Sequence, residues 1–106
     1  MGRRPRLRKD TDDEAVFACA NGIGFLREEV WVDDEERVIR YNLAFLLPHL
    51  FRHDNGRVLG YDNAHGVHER HFLGTIAEIE FQGYPALARH FYREVRSLRK
   101  TYEERR

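Results

Sequence analysis

The C-terminal part of the chain carries one apolar stripe at helical spacing. Its members recur every three or four residues and are Leu87, Phe91, Val95, Leu98 and Tyr102. This period is typical of one face of an α-helix, and Pro85, two residues after Gly83, suits the first helical turn. The sequence therefore predicts a helix from about Tyr84 to Tyr102 with a single apolar face, which must be buried against another layer.

The partner layer is predicted to be an antiparallel sheet. Apolar side chains recur at every second position through Val38–Leu47, which is typical of a half-buried strand. Further strands are indicated on both sides of Asn21-Gly22, which is a strong hairpin signal, from Arg57 to Tyr61, and from Ala77 to Phe81. The predicted fold class is α+β: a small antiparallel sheet of four or five strands with the C-terminal helix packed on one face.

Length and composition indicate one soluble globular domain. The chain has 106 residues, of which 42% are hydrophobic and 34% charged. Residues 1–13 are predicted to form a flexible basic arm and residues 14–106 a single domain. The longest apolar run, Leu43–Leu47, is too short to span a bilayer, no secretory leader is evident, and Cys19 has no cysteine partner. We therefore expect a cytoplasmic protein without membrane association.

The formal net charge of zero hides a segregation of charge along the chain. Residues 12–36 hold nine acidic residues against Arg27 alone, whereas residues 89–106 hold seven basic residues and three acids. On the predicted helix, four cations form a stripe beside the apolar one, and such a stripe can track phosphates. A solvated helix face is the more common explanation of such a pattern. The predicted nucleic-acid-binding residues are Arg57, Arg89, Arg93, Arg96 and Lys100.

A histidine-rich segment, Tyr61–Gly74, holds the densest cluster of chemically active side chains. Histidine can take up or release a proton near neutral pH, and an arginine can stabilise the charge of a phosphorane. A metal-free ribonuclease needs these residue types, and the candidate catalytic residues are Tyr61, Asp62, His65, His68, Arg70 and His71. The alternative is a structural role, in which Tyr61 packs, Asp62 pairs with Arg40 or Arg57 or caps its own turn, and the histidines are solvated.

The spacing of His65, His68 and His71 also suggests zinc. A structural zinc site mostly uses four ligands with several thiolates, and Cys19 is remote in sequence. Histidines three residues apart do not automatically converge when they lie in a loop or a strand. We therefore predict no metal and no cofactor.

The same segment resembles the signature of the TumE-like family of small bacterial proteins. The similarity rests on Gly60-Tyr61-Asp62-Asn63, then Arg70-His71 and Gly74, and it extends at the level of pattern over about residues 14–100. Many relatives carry a His-Arg-His triplet where this chain has Glu69-Arg70-His71. Members of the family are mostly described as toxins of type II toxin–antitoxin modules. The resemblance implies a cognate antitoxin, expected to be a helix-turn-helix protein that covers the basic helix and the histidine-rich segment.

Two functions follow from these observations. The first is a toxin of a type II toxin–antitoxin module that cleaves RNA. The second is a non-enzymatic regulatory module that binds phosphate, RNA or a protein through the same segment. The residues do not separate the two, because binding and cleaving phosphates use the same side chains. A homodimer is compatible with both.

Overall fold

A computed structural model describes residues 6–103 as one antiparallel sheet followed by one helix. The elements are β1 (Arg8–Cys19), β2 (Gly22–Val32), β3 (Val38–Leu46), β4 (Arg57–Asp62), β5 (Glu69–Phe72), β6 (Thr75–Glu78) and α1 (Tyr84–Glu103). The strands are hydrogen-bonded in the order β1-β2-β3-β4-β5-β6, so the sheet is a meander in which every strand pairs with its sequence neighbours. The α+β class and the C-terminal helix are confirmed, but the sheet has six strands rather than four or five.

The additional strand lies in the histidine-rich segment, where no strand was predicted. β5 pairs with both β4 and β6, and Leu73 and Gly74 form the tight connection to β6. Both residues have positive φ, 49° and 84°, as expected for a two-residue hairpin turn whose twist matches that of the sheet. The strand expected from Ala77 to Phe81 instead runs over Thr75–Glu78. Beyond it, Ile79 and Phe81 leave the sheet edge and pack against the core.

The N-terminal boundary of the sheet also differs from the prediction. β1 begins at Arg8, so residues 8–13, expected in the flexible arm, pair with β2 instead. Two ion pairs join the strands here: Lys9 Nζ lies 3.0 Å from a Glu29 carboxylate oxygen, and Arg27 Nε lies 3.4 Å from a carboxylate oxygen of Glu14. The first five residues of the predicted arm lie outside the described part of the chain.

The core lies between α1 and one face of the sheet. The sheet contributes fully buried side chains such as Tyr41, Leu43, Phe45 and Leu59, and α1 contributes Leu87, Phe91 and Val95, with Leu98 partly buried. The predicted apolar stripe of the helix is thus confirmed as its buried face. The far end of the helix is tied to the β1–β2 turn, where the backbone N–H of Ala20 donates to Glu103 Oε1 at 2.9 Å.

Within residues 6–103, no helix combines the length and the apolar character needed to cross a membrane.

Replacing Phe91 with alanine tests the packing of α1 on the sheet. Phe91 is fully buried, so the substitution should leave a cavity and lower the free energy of unfolding by about 3–5 kcal/mol. Urea denaturation followed by circular dichroism measures the change. The exposed neighbour Arg89 provides the control, because Arg89→Ala should change stability by less than about 0.5 kcal/mol. Equal stability of wild type and Phe91→Ala would contradict this packing.

Candidate functional site

The histidine-rich segment forms a hairpin that presents different side chains on the two faces of the sheet. Tyr61 of β4 lies opposite Arg70 of β5, and Gly60 lies opposite His71. Successive side chains of a strand point to opposite faces. Tyr61 and Arg70 therefore face α1, whereas Asp62 and His71 lie on the face that the helix does not cover. The predicted catalytic residues do not converge on one site.

The turn after β4 is built by two side chains of the Gly60–Asn63 motif. Asn63 Oδ1 accepts a hydrogen bond from Tyr41 N at 3.1 Å, and its Nδ2 donates to Ile39 O at 2.9 Å, so the amide extends the pairing of β3 by side-chain contacts. Asp62 Oδ1 accepts from Ala64 N at 3.2 Å. These contacts give Asp62 and Asn63 the turn-stabilising role that the sequence analysis held as an alternative.

On the helix side of the hairpin, Glu94 of α1 gathers three partners. Tyr61 Oη donates a hydrogen bond to Glu94 Oε1. Arg70 Nη2 donates to Glu94 Oε2 at 2.6 Å, and Arg70 Nε donates to Tyr61 Oη at 3.1 Å. His90 Nε2 lies 3.2 Å from Glu94 Oε1, one helical turn away. One carboxylate therefore binds a phenol and a guanidinium by hydrogen bonds, and an imidazole lies beside it.

These groups line an open pocket between α1 and the segment around β5. Its volume is about 510 Å³, and its walls include Tyr61, Arg70, His90, Arg93 and Glu94, which we call the helix-side pocket. An adjoining pocket of about 440 Å³ shares four of these residues and continues along α1 towards Ser97 and Leu98. The polar groups lie at the entrance of a concave surface, as is common for ligand sites.

The ionisation of the pocket groups separates their chemical roles. Burial, followed by the hydrogen bond to Glu94, raises the pKa of the Tyr61 phenol well above its usual range, so Tyr61 stays neutral and donates a hydrogen bond. Burial acts to lower the pKa of the Arg70 guanidinium, but its bonds to Glu94 and Tyr61 outweigh this and the pKa is raised. The side chain of His90 is 53% exposed, so its ring is accessible to solvent and to a ligand.

A basic surface extends from the helix-side pocket along α1. Arg89, Arg93, Arg96 and Lys100 are exposed, and among residues 6–103 none of them takes part in an ion pair. Unpaired cations of this kind are available to bind phosphates. Four of the five predicted nucleic-acid-binding residues therefore share one surface.

The fifth, Arg57, lies on the opposite face in a cluster of Asp54, Arg57, Asp62, Glu69 and His71, which we call the open-face cluster. Arg57 bonds Asp54 through Nε at 2.8 Å and Nη2 at 3.1 Å, and Asp62 through Nη1 at 3.2 Å. Its Nη2 also lies 3.0 Å from His71 Nδ1. With the Arg57 side chain only 17% exposed, it is poorly placed to bind a nucleic acid.

The two remaining candidate histidines, His65 and His68, lie at the edge of the open-face cluster and in an aromatic stack, respectively. His65 is at the tip of the hairpin with its side chain 74% exposed, and its Nδ1 is 3.1 Å from Glu69 Oε1. His68 Nδ1 is 2.7 Å from Tyr41 Oη, and its ring stacks on Phe81 with centroids 3.8 Å apart. Burial is the main cause that raises the pKa of Tyr41 to about 12, so this phenol stays neutral beside the His68 ring. His68 is therefore part of an aromatic stack.

Sequence reasoning missed His90 and Glu94 as members of the site. The spacing of four residues places these two side chains side by side on a helix. That spacing was the available signal. What the sequence could not show is that Arg70, distant in sequence, meets the same carboxylate.

A scan against protein-family models matched no family, and searches of curated proteins and of solved structures gave no match. The resemblance to the TumE-like family therefore rests on the pattern of the sequence alone.

Substitution of Gly60 with alanine tests why the motif begins with glycine. A Cβ at this position would lie 2.5 Å from Arg57 Cδ, because the arginine side chain crosses the strand directly above Gly60. We expect Gly60→Ala to displace Arg57 from Asp62 and to lower the free energy of unfolding by about 1–3 kcal/mol. Chemical denaturation measures this loss.

A double-mutant cycle with Arg57→Ala supplies the control for Gly60→Ala. If the methyl group acts by displacing Arg57, Gly60→Ala should cost little in the Arg57→Ala background. Additive losses in the double variant would show that Gly60 is required for another reason.

Proposed function

We propose that this protein is the toxin of a type II toxin–antitoxin module and cleaves RNA in the cytoplasm without a metal ion. The observation that carries the proposal is the helix-side pocket, where the accessible His90 lies 3.2 Å from Glu94 and beside two arginines. The unpaired cations of α1 extend from this pocket and can hold the phosphates of a bound strand. The resemblance to the TumE-like family supports the same function.

The chemistry follows from the exposed position of His90. His90 takes the proton of a ribose 2′-hydroxyl, and the 2′-oxygen forms a bond to the adjacent phosphorus. The bond from phosphorus to the 5′-oxygen breaks, and the leaving oxygen takes a proton from water. The products are a 2′,3′-cyclic phosphate and a 5′-hydroxyl end, and His90 returns its proton to solvent.

The neighbours of His90 have supporting roles. Arg93 lines the pocket without an ion-pair partner among residues 6–103, so it can contact the phosphate and stabilise the charge of the transition state. Glu94 lies beside the His90 ring, with its Oε1 3.2 Å from His90 Nε2. Tyr61 and Arg70 hold Glu94 in place from the sheet side. The proposal thus assigns proton transfer to His90 rather than to His65, His68 or His71.

RNA cleavage by purified variants tests this site. A general base contributes about 10²–10⁴-fold, so His90→Ala should lower the cleavage rate by a factor in this range while circular dichroism shows an unchanged fold. Arg93→Ala should also slow cleavage strongly, and Arg93→Lys should restore only part of the rate, because lysine lacks the planar fork. Cleavage should continue in the presence of EDTA, because the proposed reaction uses no metal ion.

His65→Ala is the matched control for His90→Ala, since both histidines are exposed and each lies near a glutamate. The control should cleave as fast as wild type. Full activity of folded His90→Ala would remove the helix-side pocket from the reaction. Absence of cleavage by the wild-type protein, together with retained RNA binding, would favour the non-enzymatic binding module.

The antitoxin is proposed to cover the basic surface of α1 and the helix-side pocket. Co-expression of the chain with the neighbouring reading frame should give a co-purifying complex and relieve a growth defect caused by the chain alone. Because the covered surface is cationic, Arg93→Glu should weaken the complex at least about tenfold, since like-charge contacts disfavour binding. Isothermal titration calorimetry with the separately purified partners measures this change.

Arg52→Glu makes the same change of charge at an exposed arginine outside α1 and should leave the affinity unchanged. Equal weakening by both variants would show that the partner responds only to overall charge. A chain that causes no growth defect and forms no complex would contradict the toxin proposal.

A further inference from the structure

The open-face cluster contains a buried histidine nitrogen with no hydrogen-bond partner. The His71 side chain is 6% exposed, and its Nε2 lies 3.1 Å from Asp62 Oδ2 and 3.8 Å from Glu69 Oε1. The nitrogen nevertheless makes no hydrogen bond to either oxygen. Leaving a buried polar group unsatisfied costs free energy, so this arrangement calls for a ligand or a specific reason.

The charges of the open-face cluster do not balance. The cluster holds three carboxylates, Asp54, Asp62 and Glu69, and among the lysines and arginines of residues 6–103 only Arg57 pairs with any of them, through its contacts to Asp54 and Asp62. Glu69 also lies directly opposite Glu78 across β5 and β6, a like-charge pair that destabilises a sheet. A cation bound at Glu69 would relieve both the charge excess and this repulsion.

The geometry of the three side chains fits a metal ion. The ligand atoms of Asp62, Glu69 and His71 all lie within 4.8 Å of one another. Ligand atoms bound to one ion at about 2.0–2.2 Å are separated by about 3–3.5 Å, so small side-chain shifts suffice. His65 is close enough to contribute as well, since its Nδ1 lies 3.1 Å from the same Glu69 oxygen that faces His71.

We propose that Asp62, Glu69 and His71 bind a divalent transition-metal ion on the sheet face opposite the helix-side pocket, with the exposed His65 as a fourth ligand. Mixed imidazole and carboxylate ligands suit zinc and its neighbours in the transition series better than magnesium, which prefers oxygen and water. The ion would join β4 to β5. The spacing of the histidines alone led us to predict no metal. The proposed site departs from that prediction, because it combines two histidines with two carboxylates.

Binding requires one rearrangement of protons and hydrogen bonds. Arg57 can only donate, so its contact with His71 Nδ1 leaves the ring proton on Nε2. A metal ion takes the lone pair of Nε2, so the proton moves to Nδ1 and Arg57 turns away from the ring. Arg57 stays anchored by its two bonds to Asp54, at 2.8 Å and 3.1 Å.

Titration of the full chain, first stripped with EDTA and then dialysed, tests the site. Isothermal titration calorimetry should show one site for Zn²⁺ and none for Mg²⁺ under the same conditions. Glu69→Gln and Asp62→Asn should each weaken Zn²⁺ binding at least about tenfold, since even changes in the surroundings of metal ligands cost this much. Zn²⁺ should also raise the melting temperature of the wild type, because it binds the folded state.

Asp34→Asn removes an exposed carboxylate outside the open-face cluster and should bind Zn²⁺ like the wild type. Circular dichroism of Glu69→Gln checks that the fold is intact. Failure of Zn²⁺ to bind, or equal binding by wild type, Glu69→Gln and Asp62→Asn, would overturn the proposal. Neither result affects the test of RNA cleavage, because that test concerns His90 and Arg93 on the other face.

Discussion

The hydrogen bonds to Glu94 connect the helix to the β4–β5 hairpin, and the rest of the site depends on them. One carboxylate bonds Tyr61 from β4 and Arg70 from β5, while His90 approaches it from the preceding helical turn. Leaving a partly buried carboxylate without these partners would cost free energy of folding. The network therefore fixes the position of α1 along the sheet. The same bonds fix the carboxylate that lies beside His90 in the lining of the pocket, which links stability to the proposed chemistry.

A second carboxylate plays a comparable role on a different part of the helix. Glu28 of β2 accepts hydrogen bonds from Tyr84 at 2.6 Å and from Tyr92 at 2.7 Å. Burial and then the bond to Glu28 raise the pKa of both phenols, so both stay protonated donors at neutral pH. The helix is thus joined to the sheet by polar contacts beside its apolar face. These contacts restrict rotation of α1, because apolar packing alone is not directional.

The alternation of side chains along a strand explains why the histidine-rich segment serves two surfaces. Arg70 and His71 are neighbours in sequence, yet one faces α1 and the other faces the open-face cluster. Gly60 allows Arg57 to lie across β4 and reach Asp62, and Asn63 closes the turn against β3. Most of the recognisable motif therefore has a structural role, and the reactive groups of the helix-side pocket come partly from outside it.

The sequence by itself determined the α+β class, the C-terminal helix with its buried stripe and the cationic surface beside it, because these depend on the period of apolar and charged residues. The sequence did not determine β5, because its four residues, which include Glu69, Arg70 and His71, show no alternation of apolar and polar side chains. This strand forms because it pairs with β4 on one side and β6 on the other. Only the tertiary structure decided which reactive side chains meet. Glu94 and Arg70 are far apart in the chain, whereas the adjacent Arg70 and His71 are separated by the sheet, because a pleated strand sends consecutive side chains to opposite faces.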